Sequence, residues 1–125
     1  MSVQQVQQFI IMTLGKNHPP AVASALFLSN DSIHFKERST YFIYAQVNFR
    51  KHHGKGQRSV TLKRNPTNGR GELVLVEGTF PETTVGSVWV SKLVNLSEGD
   101  SVSLEIRAEI NKDSQFTFWG AFQLH

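Results

Sequence analysis

The segment TYFIYAQVNF, residues 40–49, carries the clearest structural pattern in this sequence. Alternate side chains of an extended chain point to opposite faces, as in a β-strand. One face of this segment is apolar throughout and suits a core: Tyr41, Ile43, Ala45, Val47 and Phe49. The opposite face begins with Phe42 and Tyr44 before it becomes polar. A two-layer sandwich buries one face of each sheet, so these two aromatic side chains need a second covering surface.

Two further segments carry large apolar side chains on both of their faces. In residues 88–96, Trp89 and Leu93 lie opposite a valine-rich face. In residues 115–124, Trp119 lies opposite a face that includes Phe116, Phe118, Phe122 and Leu124. This surplus predicts a subunit interface lined by aromatic side chains. The alternative is that loops or the N-terminal segment fold over these faces.

Short runs rich in β-branched and aromatic residues recur along the chain, separated by clusters of Gly, Pro, Asn and Asp. We predict strands at residues 8–14, 25–28, 32–35, 40–49, 59–63, 72–80, 88–96, 101–108 and 115–124. Strands at this spacing indicate an antiparallel sandwich or barrel. No linker or repeat divides the sequence, so residues 1–125 are predicted to form a single all-β domain.

Composition limits the classes of function. The 125 residues are 39% hydrophobic and 10% aromatic, which is enough for one core. The absence of cysteine excludes disulfides, thiolate zinc sites and cysteine nucleophiles. His52 and His53 are adjacent, point to opposite sides of an extended segment and have no acidic residue nearby. Hydrolase and nucleotide motifs are missing, so we predict no enzyme activity, no catalytic residue, no metal site and no cofactor.

The net charge of +3 is unevenly distributed. Seven of the thirteen Lys and Arg residues lie between Arg50 and Arg70, in a window without acidic or aromatic residues. This basic window indicates attraction to an acidic receptor surface or to sulfated glycans, or alternatively a solvated strand edge. Its lack of aromatic side chains disfavours nucleic acid as a partner. Asn30 and Asn95 each begin a glycosylation sequon, which favours an extracellular protein.

Three segments occur in the order and spacing found in the tumour necrosis factor (TNF) superfamily. TYFIYAQVNFR, residues 40–50, resembles the third major strand of that family. VNLSEGDSVSL, residues 94–104, resembles its hairpin in which a Leu-x-x-Gly-Asp turn precedes a strand. FTFWGAFQL, residues 116–124, resembles its C-terminal strand, and LVLVEG, residues 73–78, is similar to the E strand of some members. The resemblance extends over residues 25–124.

The resemblance implies an antiparallel jelly-roll β-sandwich that assembles as a homotrimer, with a dimer left open. It implies a cytokine ligand that binds and clusters cysteine-rich TNF-receptor-superfamily receptors, as the extracellular domain of a type II membrane protein that can be shed. In this family aromatic residues of three strands line the threefold axis. The matching residues, with two second-tier members, are Tyr44, Trp89, Phe118, Phe42 and Leu124. In the outer loops, which choose the receptor, we predict contacts at Arg58, Asn68 and Arg70.

The chain also departs from the family pattern. It lacks the cysteine pair that joins two loops in many members, its connection at residues 81–86 is short, and residues 65–71 contain no aromatic receptor contact. Two other functions remain open. One is the globular head of the complement-type, collagen-linked family, which shares the trimeric jelly roll. The other is a carbohydrate-binding jelly roll in which Trp89 or Trp119 lines an open sugar-stacking groove.

Overall fold

The computed structural model describes residues 6–13, 26–29, 31–51, 56–108, 110–111 and 117–124. These residues form ten strands: β1 (Val6–Thr13), β2 (Leu26–Ser29), β3 (Ser32–Phe35), β4 (Ser39–Phe49), β5 (Arg58–Arg64), β6 (Leu73–Phe80), β7 (Gly86–Leu96), β8 (Ser101–Arg107), β9 (Ile110–Asn111) and β10 (Phe118–Leu124). Turns separate several of them. Between β5 and β6, Gly69 has a φ of +73°, which glycine adopts readily, and Thr67 and Arg70 exchange two backbone hydrogen bonds across the turn.

Two antiparallel sheets form a sandwich. Sheet I has the strand order β1-β10-β4-β7, with β9 also pairing with β4. Sheet II has the strand order β2-β3-β8-β5-β6. Most neighbours within a sheet are distant in the chain, so the connections cross repeatedly from one sheet to the other. The predicted all-β antiparallel jelly-roll sandwich is confirmed.

The core lies between the two sheets. From β4 it contains the predicted apolar face, each member of which is at most 1% exposed: Tyr41, Ile43, Ala45, Val47 and Phe49. Sheet II contributes Ile33, Val60, Leu62 and Val102, all fully buried. Trp119 of β10 points into the same core and is 1% exposed. The other face of β4, with Phe42 and Tyr44, therefore lies on the outside of the sandwich.

The observed strands agree with the predicted ones to within a few residues wherever both are described. The prediction for residues 32–35 coincides with β3. β9 was not predicted because its two residues are too few to show any alternation. The strand predicted at residues 115–124 starts earlier than β10, but residues 115 and 116 lie outside the described residues.

The turn between β7 and β8 is organised by Asp100, which is 2% exposed. Its carboxylate accepts the backbone N–H of Ser97 at 2.8 Å and the guanidinium of Arg70 at 3.0 Å. Gly99 has a φ of +89°, and its N–H donates to the carbonyl of Phe35. The Leu-x-x-Gly-Asp segment thus forms a turn that ties β3 and the β5–β6 turn to the end of β7.

Candidate interface and receptor-contact surfaces

The outer side chains of β10, β4 and β7 form a surface that we call the aromatic face. Paired residues on adjacent antiparallel strands point to the same side of a sheet, so this surface consists of rows. From one end to the other, the rows are Phe118–Gln46–Trp89, Gly120–Tyr44–Ser91, Phe122–Phe42–Leu93 and Leu124–Thr40–Asn95. Small residues flank Tyr44 on both sides, which leaves room for large rings from the neighbouring rows.

Five aromatic rings of this face form one connected cluster. The ring of Tyr44 stacks on that of Trp89, with centroids 5.5 Å apart and planes at 10°. Its centroid lies 6.4 Å from that of Phe118 and 6.3 Å from that of Phe122. Phe42 joins the cluster, 5.1 Å from Phe122 and 6.1 Å from Tyr44. Favourable aromatic pairs have centroids about 4.5–7 Å apart, so all these contacts are stabilising.

The structure therefore brings together four of the residues predicted for the interface. Leu124, the fifth, lies in the last row of the same face. Phe122 and Leu93 also belong to this face but were not among the predicted interface residues. Their signal was present in the alternation, because Phe122 shares its side of the strand with Phe118 and Leu93 with Trp89. The family resemblance pointed only to matching positions and so passed over these neighbours.

Exposure differs sharply within the cluster. Tyr44 is only 5% exposed although it lies outside the core, because the surrounding rings cover it. This burial raises the pKa of Tyr44 to about 12. Trp89 is 50% exposed and Leu93 is 56% exposed. A single protomer thus leaves a large apolar surface in contact with water at this position.

Among the residues whose side chains the structure describes, the exposed large apolar ones lie on β6, on β7 or on the connection between them. The set is Leu73, Val74, Val85, Trp89 and Leu93. β6 and β7 are edge strands of their sheets and lie side by side, since the ammonium of Lys92 donates to the carbonyl of Leu75 at 3.1 Å. We call Leu73, Val74 and Val85 the apolar edge. Leu73 and Val74 lie near the end of β7, and Val85 precedes its first residue, so the apolar edge borders the aromatic face at both ends of β7.

Arg58, predicted as a receptor contact, points into the end of the sandwich and is 2% exposed. Its guanidinium donates to the carbonyl of Arg50 at 2.7 Å and lies 5.4 Å from the ring centroid of Phe49. Alternation along β5 places Arg58 on the same side as Val60 and Leu62, which are core residues. The prediction is corrected accordingly: burial removes Arg58 from the surface contacts and makes it part of this end of the core.

The other two predicted receptor contacts, Asn68 and Arg70, are exposed in the β5–β6 turn. Arg70 keeps 44% of its side chain exposed while one guanidinium nitrogen binds Asp100. This ion pair fixes the direction of the side chain. A guanidinium has five N–H donors, so an acidic partner can use those that Asp100 does not.

The basic window does not form one continuous surface. Its first residue, Arg50, lies beside the start of β5, and its last, Arg70, lies beyond the end of that strand, about 20 Å away. Lys63 is on the outer face of sheet II, where Glu72 and Glu105 bind it at 3.3 and 3.2 Å. The hydrogen bond to Glu105, and then that to Glu72, raise the pKa of Lys63. These placements do not favour one site for a sulfated glycan.

Of the two glycosylation sequons, the structure describes the asparagine of only one. Asn30 lies outside the described residues. Asn95 is exposed on β7 in the last row of the aromatic face. Its amide oxygen accepts the hydroxyl of Thr40 at 2.6 Å.

Three other features bear on function: a sugar-stacking groove, a metal site and a membrane-spanning helix. Trp119 is a core residue, which removes it from any sugar-stacking groove. The described residues contain no group of three or more His, Cys, Asp or Glu side chains arranged to hold a metal ion, and His52 and His53 lie outside them. In the same residues, no helix has the length and apolar composition needed to cross a membrane.

Comparisons with known proteins agree with this geometry. A scan of protein families matches residues 15–124 to the TNF (Tumour Necrosis Factor) family. Among solved structures, the chain is similar to murine APRIL crystallised at pH 5.0, with a TM-score of 0.69 and 21% identity over 84% of this chain and 83% of that chain. Murine APRIL at pH 8.0 gives the same TM-score and identity, over 84% and 80% of the two chains. A search of curated protein sequences finds no match. At this identity the structural likeness establishes the fold alone.

Proposed function

The chain belongs to the TNF (Tumour Necrosis Factor) family, whose members are cytokine ligands and not enzymes, and from this premise we propose that it binds and clusters cysteine-rich TNF-receptor-superfamily receptors as a homotrimer. Family membership implies an extracellular domain, and we place that domain on a type II membrane protein. Three equivalent grooves between protomers hold three receptor chains at a fixed spacing. Multivalent binding then brings the intracellular parts of the receptors together.

The aromatic face is the observation that carries this proposal. Trp89 is half exposed in one protomer, although it stacks on Tyr44 in a continuous cluster of rings. Large aromatic side chains that are exposed and pre-arranged in this way are typical of the centre of an interface. In the proposed assembly, the clusters of three protomers meet around the threefold axis and exclude water.

The apolar edge supports a trimer over a dimer. A threefold assembly uses heterologous contacts, so each protomer needs two different complementary surfaces. The aromatic face and the apolar edge supply these two surfaces, and the edge of one protomer packs against the face of the next. A twofold dimer pairs one surface with itself. If that surface were the aromatic face, Leu73, Val74 and Val85 would stay in water.

Receptor contacts are proposed at the β5–β6 turn. Asn68 and Arg70 are exposed there, and Arg70 is held in one direction by Asp100. The turn joins two strands of sheet II and therefore does not belong to the aromatic face. The assembly surface and the receptor contacts can thus be altered separately.

The assembly is tested with Trp89→Ala. The unmodified chain is expected to scatter light with a mass near three times 14.1 kDa. Truncating a central aromatic residue costs an interface about 2 kcal/mol or more, so the variant is expected to dissociate at concentrations where the parent is a trimer. Arg107→Ala is the matched control, because this long side chain is 77% exposed on the outer face of sheet II. A monomeric parent, or a variant trimer as stable as the parent, contradicts the proposal.

Receptor binding is tested by capture on a panel of TNF-receptor-superfamily ectodomains. Asn68→Glu is a cleaner variant than a change at Arg70, because Arg70 also holds the buried Asp100. We expect Asn68→Glu to weaken capture while the trimer mass is unchanged. Thr83→Glu, an exposed change in the β6–β7 connection, is the control for added charge. Capture by no ectodomain of the panel would contradict receptor binding, and equal capture of Asn68→Glu would exclude the turn.

A further inference from the structure

Asn95 occupies the corner where the aromatic face meets the apolar edge. It ends the last row of that face, beside Thr40 and Leu124. Leu93 lies two residues away on the same side of β7, a separation of about 7 Å. The exposed side of Asn95 therefore opens onto the same volume as the exposed side chain of Leu93.

The neighbouring strand places Leu73, at one end of the apolar edge, beside the same corner. β6 runs antiparallel to β7, since a Cβ added at Gly78 would meet the side chain of Val90, and further along Lys92 binds the carbonyl of Leu75. Continued by two residues on each strand, this register brings Leu73 level with Val94, the neighbour of Asn95. A group attached to Asn95 would thus stand between the two surfaces that the proposed trimer uses.

Asn95 is also chemically suited to carry a large polar group. It begins the sequon Asn95-Leu96-Ser97, and its side chain is exposed in the protomer. In N-glycosylation, Nδ2 forms a bond to C1 of the reducing-end sugar of a lipid-linked oligosaccharide. The bond from C1 to the pyrophosphate oxygen breaks, the lipid pyrophosphate leaves, and Nδ2 gives up one proton.

We propose that Asn95 is an N-glycosylation site whose occupancy prevents assembly, an inference that rests on the proposed trimer through the aromatic face. An N-linked oligosaccharide is bulky and strongly hydrated. At this corner it takes the volume that the next protomer needs, and closing the interface over it would strip water from its hydroxyl groups. The glycosylated chain stays a monomer, and the unmodified chain assembles.

The experiment compares chains secreted from glycosylating cells, all carrying Asn30→Gln so that residue 95 begins the remaining natural sequon. One chain is otherwise unchanged, and a second carries Ser97→Ala, which removes the sequon and keeps Asn95. A third carries Ser97→Ala together with Glu105→Asn and Arg107→Ser, which moves the sequon to exposed positions on the outer face of sheet II. Intact-mass spectrometry measures occupancy in each fraction that light scattering identifies as monomer or trimer.

We expect the sugar at residue 95 to be about tenfold rarer in the trimer fraction than in the monomer fraction. The Ser97→Ala chain is expected to be trimeric, and the relocated sugar is expected to appear in trimers. Equal occupancy at residue 95 in both fractions, or no sugar there at all, overturns the inference. If the Ser97→Ala chain is itself a monomer, the proposed trimer has failed and the inference fails with it. If that chain is a trimer and only the glycan result is negative, the inference alone fails.

Discussion

The outer faces of the two sheets have opposite chemistry, although both belong to the same sandwich. On sheet II, Lys63 is bound by Glu72 and Glu105, and the hydroxyl of Thr61 donates to Glu77 at 2.7 Å. On sheet I, the corresponding surface consists largely of aromatic rings stacked on one another. We call the outer face of sheet II the polar face. Its polar groups bind one another and water. The aromatic face leaves half of Trp89 exposed, and in the proposed assembly a neighbouring protomer covers it.

The comparison also separates folding from assembly. Both faces lie outside the core, so neither is needed to fill it. Changes on the polar face should therefore have small effects on stability and none on the oligomer. Changes on the aromatic face should leave the protomer folded and alter the oligomer.

The largest effect is expected from a charge placed on the aromatic face. Leu93→Glu should abolish the trimer, because burying an unpaired carboxylate in an interface costs several kcal/mol, which is a weakening of more than about a hundredfold. The protomer should remain folded, since Leu93 is 56% exposed. Arg107→Glu introduces the same group on the outer face of sheet II and should keep the trimer mass. Light scattering and circular dichroism measure the two properties, and a trimeric Leu93→Glu chain would mean that the face is not buried.

A change in the core should lower the stability of the protomer and leave the trimer intact. Gly78 faces inward from β6, and a Cβ there would lie 2.8 Å from Val90 and 2.9 Å from Phe80. Gly78→Ala therefore forces both side chains to move, and overpacking of this kind typically costs about 1–3 kcal/mol. We expect a lower midpoint of urea unfolding while the native protein still assembles. Gly71→Ala is the control, since nothing lies within 4 Å of the added Cβ. Equal stability of the two variants would mean that the contact at Gly78 relaxes freely.

Much of the fold follows from the sequence because alternation is strong where both faces are constrained. In β4 the inward residues, from Tyr41 to Phe49, are those that the alternation placed in the core. The aromatic face followed from the same pattern, since the sandwich offers no second buried layer for Tyr44. Family resemblance then selected the strands that share this surface.

The misses lie at the beginnings of strands, to which the alternation of the strand interior was not extended. Arg58 looked like one more surface cation of the basic window, and only the alternation of β5 with its neighbours Val60 and Leu62 shows that it is buried. The apolar edge was also missed. Leu73 and Val74 are consecutive, so alternation would place one inside and one outside, whereas both are about half exposed at the beginning of an edge strand.

A smaller effect is expected at high pH. Burial raises the pKa of Tyr44 to about 12, above its ordinary value of 10.0. The folded chain therefore keeps a proton that the unfolded chain loses between pH 10 and 12, so the free energy of unfolding falls as the pH rises through this range, by at most about 1.4 kcal/mol per pH unit. Tyr44→Phe should make this fall shallower. The trimer of the parent should begin to dissociate only as the pH approaches 12, where Tyr44 of the folded protomer itself loses its proton.

Two other groups, Tyr41 in the core and Lys63 on the polar face, also lower the free energy of unfolding at high pH. Lys63 allows the effect on unfolding to be separated from the effect on assembly. The pKa of Tyr41 is also raised to about 12, first by burial and then by the charge of Glu37, and the pKa of Lys63 is raised by Glu105 and Glu72. Lys63→Gln should therefore alter the pH dependence of unfolding but not that of assembly. Urea unfolding and light scattering at matched pH distinguish the two. If Lys63→Gln changes the pH of dissociation, the polar face takes part in the assembly.

The smallest effect is expected from removing a hydrogen bond on the polar face. Thr61 is 4% exposed, and its hydroxyl donates to the carboxylate of Glu77, which remains largely in water. Thr61→Val keeps the shape of the side chain and its preference for strands while it removes the donor. Because water can replace that donor at Glu77, the loss in the free energy of unfolding should be about 1 kcal/mol or less. Thr79→Val, at an exposed threonine of β6, serves as the control for the exchange of hydroxyl and methyl groups. Both variants should remain trimers, since a face that is already satisfied by its own polar groups and by water has no need of a partner subunit.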